Sequence, residues 1–280
     1  MSIAVTEPGI TFSEALAMLD WQIDLGADEA IGDAPLNRYE TAEDMAKLAA
    51  AKPLAAQKAE PPPAARPPSD AEQSAKAITA ATRLAGAARN LSELQEALAA
   101  YEFCTLKKGA RNLVFADGNP AGRVMIIGEA PGRDEDLAGK PFVGRAGQLL
   151  DKMLAAIDLA RGTEAAAQAV YITNVLPWRP PQNRDPKPEE IAMLLPFLKR
   201  HIELAQPDVL ILMGNIACQA LLGSSGITRL RGTWAKVMGL PAMPMFHPAY
   251  LLRTPARKRE SWADLLEVNA RLKEKTDVAN

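Results

Sequence analysis

The sequence predicts an α/β fold, a three-layer α/β/α sandwich around a central four-stranded parallel sheet. Three observations lead there. Residues 123–129 (RVMIIGE), 170–175 (VYITNV), 209–214 (VLILMG) and 243–247 (MPMFH) are short, almost wholly apolar runs, as strands are when helices cover both faces of their sheet. A helical stretch follows each run, near residues 145–158, 188–204, 215–222 and 256–273. Strand–helix alternation of this length implies parallel pairing through right-handed crossovers. The third observation is that polar residues ill-suited to a core stand where the runs end, and parallel sheets bind ligands at those carboxyl ends.

Ahead of these units the chain has a different character. Residues 1–85 read as a helical and disordered N-terminal extension, which leaves 86–280 as the domain. Within the extension, residues 11–26 place Phe12, Leu16, Leu19 and Ile23 at spacings of three and four, the period of a short amphipathic helix. Residues 52–68 (KPLAAQKAEPPPAARPP) carry no bulky apolar side chain after Leu54. Such a stretch cannot offset its ordering entropy by burial and reads as a linker. Residues 72–100 are rich in Ala and Leu and are predicted helical, leading into the domain. No internal repeat is present.

Composition removes several classes of function. At 280 residues and 48% hydrophobic content the chain can build a core, yet no apolar run approaches the ~18 residues that span a bilayer. The first residues carry Glu7 and no basic cluster, so neither a secretory signal nor a membrane partner is expected, and the expected location is the cytoplasm. Two cysteines, Cys104 and Cys218, can supply neither a disulfide framework nor a four-thiolate metal site. The net charge of −2 is unevenly spread: residues 1–100 hold 8 basic and 15 acidic side chains, while residues 171–280 hold 15 and 10. Phosphate attraction depends on a local basic face, so the C-terminal half is the part suited to nucleic acid.

Three strand ends carry the chemistry. The first run leads into Gly128-Glu129-Ala130-Pro131-Gly132, a loop whose glycines let backbone N–H groups approach a ligand closely. It matches neither the phosphate-binding lysine loop nor the dinucleotide fingerprint. The second run delivers Asn174 and the fourth delivers His247. Glu129, Asn174 and His247 are therefore expected on one edge of one sheet. Blander roles compete for each residue type: Asn174 can cap a turn, and the Asp134–Glu135–Asp136 run can be a solvated loop. His201, mid-helix, is read as structural, and Cys218 as a small packed hydrophobe.

The blocks GEAPGRDEDLAGKPFVGRAGQLLD, YITN, RPPQNRDPKPEEI, ITRLRGTW and FHPAYLLR occur in the order and spacing of family 4 uracil-DNA glycosylases. The chain resembles that family over roughly residues 101–270. The resemblance implies an enzyme that flips deoxyuridine out of DNA and hydrolyses its N-glycosidic bond. It implies Phe142 stacking on the uracil, Asn174 reading the base edge, and His247 donating to O2 as charge develops there. It implies Glu129 and Glu135 as the acids of the catalytic loop, with Glu129 favoured for the water. Gly128 and Ala130 would complete the base pocket. Gly132, Tyr250, Leu251, Leu252, Arg253 and Lys258 would meet DNA, residues 250–253 as a loop pushed into the duplex. Uracil-containing DNA is the expected partner, and a monomer the expected state.

The chain departs from the family at one point. Family 4 members hold a four-iron–four-sulfur cluster on four cysteines, and the aligned positions here are Tyr101, Cys104, Trp178 and Leu194. One thiolate cannot hold a cluster that takes four, so no iron–sulfur cofactor and no metal is expected. A related group traps uracil-DNA covalently through a histidine after the second strand; residues 179–188 contain none, so turnover is expected. The alternatives are a lesion-DNA binding protein without hydrolysis, and an α/β nucleotide-binding module.

Overall fold

A computed structural model describes residues 70–278. The amphipathic segment at 11–26 and the linker at 52–68 lie outside the described residues. The four apolar runs form β2 (Val124–Gly128), β3 (Val170–Asn174), β4 (Val209–Met213) and β6 (Leu240–Met245), all mutually parallel where they pair. Two short antiparallel strands that apolar patterning could not reveal, β1 (Asp117–Gly118) and β5 (Ala235–Val237), close the edges, so the sheet has six strands in the order β1-β3-β2-β4-β6-β5. From β2 the chain crosses to β3 on one side, then returns past β2 to β4 and β6 on the other. That reversal of direction opens a crevice at the carboxyl ends of the strands.

Each central strand is buried on both faces, which is why its run is apolar without alternation. The alternation appears instead in which layer a side chain meets. Met125, Ile127, Tyr171, Leu210 and Leu212 pack into the core on one side; Val124, Ile126, Val170, Ile172, Val209 and Ile211 pack into the other. The first core is covered by α1 (Asp70–Ala87), α2 (Leu91–Ala99), α6 (Pro188–Ala205) and α7 (Asn215–Leu222), with the short α3 (Leu106–Gly109) beside them. The second is covered by α5 (Arg145–Ala155) and α10 (Lys258–Val278) through Leu150, Leu154, Leu265, Val268 and Leu272. Each such Leu, Ile or Val withdrawn from water stabilises the fold by about 1.5–3 kcal/mol before entropy is counted. Three further short helices lie in the loops: α4 (Arg133–Ala138), α8 (Ile227–Leu230) and α9 (Pro248–Arg253).

The helix ahead of the sheet runs across residue 85. A cut at 85/86 would fall inside α1, and the compact unit starts at Pro67. Ala77, Ala81 and Ala85 of α1 are buried, the last two as members of the first core. The Tyr101 hydroxyl donates to the Ala77 carbonyl at 2.9 Å, and Arg200 of α6 donates to the Ala88 carbonyl. Small side chains let α1 approach α6 closely, and an alanine-rich segment looks like a connector in sequence for the same reason. The helical stretch predicted over 72–100 is in fact two helices, broken where Asn90 caps α2 by accepting from the Glu93 amide.

Candidate active site

A cavity of about 330 Å³ opens at the carboxyl ends of the strands, lined by Glu129, Phe142, Asn174 and His247 among others. The sheet supplies three of these. Glu129 follows β2, Asn174 ends β3 opposite Gly128 in register, and His247 follows β6. Ala130, Gly132, Glu135 and Arg253 also line the cavity. Gly128 is required by proximity: a Cβ there would stand 2.4 Å from the Asn174 amide oxygen and 2.6 Å from the Phe142 ring. Gly214 plays the same part beneath the histidine, at φ +90°, where a Cβ would lie 3.3 Å from that of His247.

The two loop acids are in different states. Glu135 is saturated: Oε1 accepts from the amides of Val143 and Gly144 at 3.0 and 2.9 Å, and Oε2 accepts from the Gly132 amide at 3.1 Å. It ties the start of α4 to the start of α5. Glu129 makes no side-chain hydrogen bond with any described residue, and burial, followed by the charge of Asp185, raises its carboxyl above the usual range. The Asp134–Glu135–Asp136 run is therefore not a solvated loop. It forms α4, and buried Asp136 accepts from the amides of Arg111 and Asn112.

His247 has a fixed orientation and charge state. Its Nδ1 accepts from the Ala249 amide at 3.1 Å, and burial, followed by the charge of Arg253, lowers its pKa to about 4. The neutral ring then carries its proton on Nε2. The rings of Phe142 and His247 face one another with centroids 5.3 Å apart and planes at 27°. The other histidine, His201, stacks on Phe115 and bonds the Tyr171 hydroxyl inside the core, with its pKa pushed down to about 3 by burial. It is structural, as its place in the sequence suggests.

A Gly-rich loop after β2, an asparagine on β3 and a histidine after β6 thus stand around one cavity. A family model described as the uracil DNA glycosylase superfamily matches residues 115–267. The chain belongs to this superfamily. It is 40% identical over 176 residues to a type-4 uracil-DNA glycosylase of Archaeoglobus fulgidus, an overlap of 59% of this chain and 84% of the relative. A type-4 uracil-DNA glycosylase of Thermotoga maritima is 41% identical over 155 residues, 54% of this chain and 77% of the relative. A type-5 uracil-DNA glycosylase of Pyrobaculum aerophilum is 29% identical over 146 residues.

The DNA-facing assignments need one correction. Residues 250–253 are not an open loop but most of α9, which starts at Pro248. Leu251 is fully buried, whereas Leu252 and Arg253 are exposed and Tyr250 is half-buried against Phe246. Helical periodicity decides this: successive positions on a helix are turned by about 100°, so one can be buried while the next two are exposed. Lys258 is exposed at the start of α10. Arg184, within the RPPQNRDPKPEEI block, has no role that the sequence alone assigns. It lines the cavity and pairs with Glu190 at 2.5 Å.

Tyr101, Cys104, Trp178 and Leu194 are all buried members of one apolar cluster. Burial raises the Cys104 thiol, which disfavours the thiolate that ligation requires. Among the described residues, no group of three or more His, Cys, Asp or Glu is placed to hold a metal ion, and no helix is long and apolar enough to cross a membrane.

Proposed function

We propose that this chain is a monofunctional uracil-DNA glycosylase of base-excision repair, which releases uracil from DNA by hydrolysis and leaves an abasic site. The observation that carries the reading is the convergence of Glu129, Phe142, Asn174 and His247 on one cavity at the strand ends. Its volume of about 330 Å³ falls within the ~300–1,000 Å³ of small-molecule sites.

Phe142 offers a face for the flipped pyrimidine. The Asn174 amide accepts from N3–H and donates to O4, a pattern that cytosine reverses. As the bond from C1′ to N1 breaks, the electron pair leaves with the base and negative charge grows on O2. The Nε2–H of His247 donates to it, and a neutral donor does so without a proton transfer. Glu129, ionised, takes a proton from the water that attacks C1′ and offsets the positive charge developing on the sugar. Glu135, with three amides on its carboxylate, organises the loop rather than handling the water. Gly132, Leu252, Arg253 and Lys258 face the nucleic acid, with Leu252 rather than Leu251 available to enter the duplex. The enzyme works without an iron–sulfur cluster, because Tyr101, Trp178 and Leu194 fill the ligand positions with apolar packing.

The test is incubation with an oligonucleotide containing one deoxyuridine, followed by alkali. Strand cleavage dependent on the protein is the expected result. Tight binding of that DNA with no alkali-labile site would favour a lesion-binding protein that has lost turnover.

A further inference from the structure

The backbone of Phe142 sits in the left-handed region at φ 54°, where a non-glycine residue stays only if its surroundings hold it. The holding group is remote in sequence. Arg161, in the connection between α5 and β3, donates from Nη1 to the Pro141 carbonyl and from Nη2 to the Phe142 carbonyl, both at 3.0 Å. Its own position is fixed by two carboxylates: Nη1 donates to Asp117 at 3.1 Å and Nε donates to Asp151 at 2.8 Å. The guanidinium is mostly buried. The Phe142 carbonyl is also pressed against the first turn of α5, where a Cβ on Gly147 would lie 1.7 Å from its oxygen. The peptide thus has one arrangement, and the ring is carried to where it meets Gly128 and faces His247.

We propose that Arg161 is a positioning residue that sets the height of the Phe142 ring over the base pocket. The proposal rests on the reading of Phe142 as the stacking platform. Arg161 does not line the cavity; it acts through the backbone of residues 141 and 142. A lysine would not substitute, because one ammonium cannot span two carbonyls and two carboxylates in a plane as a guanidinium does.

A double-mutant cycle tests this on the full chain. Single-turnover uracil excision and affinity for DNA carrying a tetrahydrofuran abasic analogue are measured for Arg161→Ala, Arg161→Lys, Phe142→Ala and the double variants. Phe142→Ala and Arg161→Ala should each slow excision, by ~5- to 100-fold as for a lost base-stacking platform, and Arg161→Lys should recover only part. The double variants should match Phe142→Ala alone. Affinity for the abasic analogue, which has no base to stack, should stay at the wild-type value. Additive losses, or an equal loss of affinity for the abasic analogue, would overturn the proposal in favour of general structural support. If Arg161→Ala does not fold, the cycle is run with Arg161→Lys and read in the same way. Phe142→Ala excising at the wild-type rate would instead remove the platform reading, and the Arg161 proposal with it.

Discussion

Nδ1 of His247 accepts the backbone N–H of Ala249, two residues along the chain, at 3.1 Å. This one bond leaves the ring proton on Nε2, and in the proposed mechanism that N–H is the donor to the leaving base. His247→Ala should therefore lower single-turnover excision by ~10²–10³ while changing DNA affinity little, because the lost interaction strengthens only as charge develops. Wild-type cleavage by this variant would refute the mechanism, however good the family match.

The pH dependence should report Glu129. Its carboxyl titrates above the ordinary value of 4.5 because it is buried and faces the charge of Asp185, and only the ionised form can accept a proton from water. Excision should fall as pH drops through that raised value. His247 adds no limb near 6.5, being neutral down to about pH 4. Asp185→Asn removes a negative charge, lowers the Glu129 pKa and should move the acid limb to lower pH. A single-turnover pH profile that does not move, or moves upward, counts against Glu129 as the base.

Asn174→Asp changes what the pocket reads. A carboxylate cannot donate to O4 and repels it, so uracil excision should fall by ~10-fold or more, about 1–3 kcal/mol for an unsatisfied buried polar group. In its protonated form the side chain presents a donor to N3 of cytosine. The check is a comparison of excision from U- and C-containing oligonucleotides across the acidic pH range; unaltered uracil preference would place the base-reading group elsewhere.

Removal of residues 1–66 should leave both excision and melting temperature close to those of the full chain, because the compact unit starts at Pro67. Removal of residues 1–85 deletes buried Ala77, Ala81 and Ala85 and leaves the Tyr101 hydroxyl without its acceptor. That truncation should cost roughly 2–5 kcal/mol, measured by denaturant unfolding.

The purified protein should be colourless and free of stoichiometric iron. Tyr101, Trp178 and Leu194 are buried apolar members of the first core. A brown preparation with iron in proportion to protein would mean that other residues hold a cluster. Leu194→Cys with Tyr101→Cys should destabilise the fold rather than restore iron, since Trp178 still occupies a third position.

How much the sequence reveals depends on the range of the forces involved. The four parallel strands, the helices behind them and the strand-end placement of Glu129, Asn174 and His247 were legible, because burial on both faces writes itself into local composition. The edge strands β1 and β5, of two and three residues, carry no such signature, since they exist only by pairing with neighbours. The same holds for the role of α1, whose alanines gain meaning only from their closeness to α6. Loop chemistry was least legible. Glu129 and Glu135 stand six residues apart in one acidic segment, and only the fold shows that three amides converge on Glu135 and none on Glu129. Sequence determined which groups are present and which strand end each one leaves. Tertiary structure decided which of them are already satisfied, because hydrogen bonding and burial depend on residues far apart in the chain, as when Arg161 reaches back to hold Phe142.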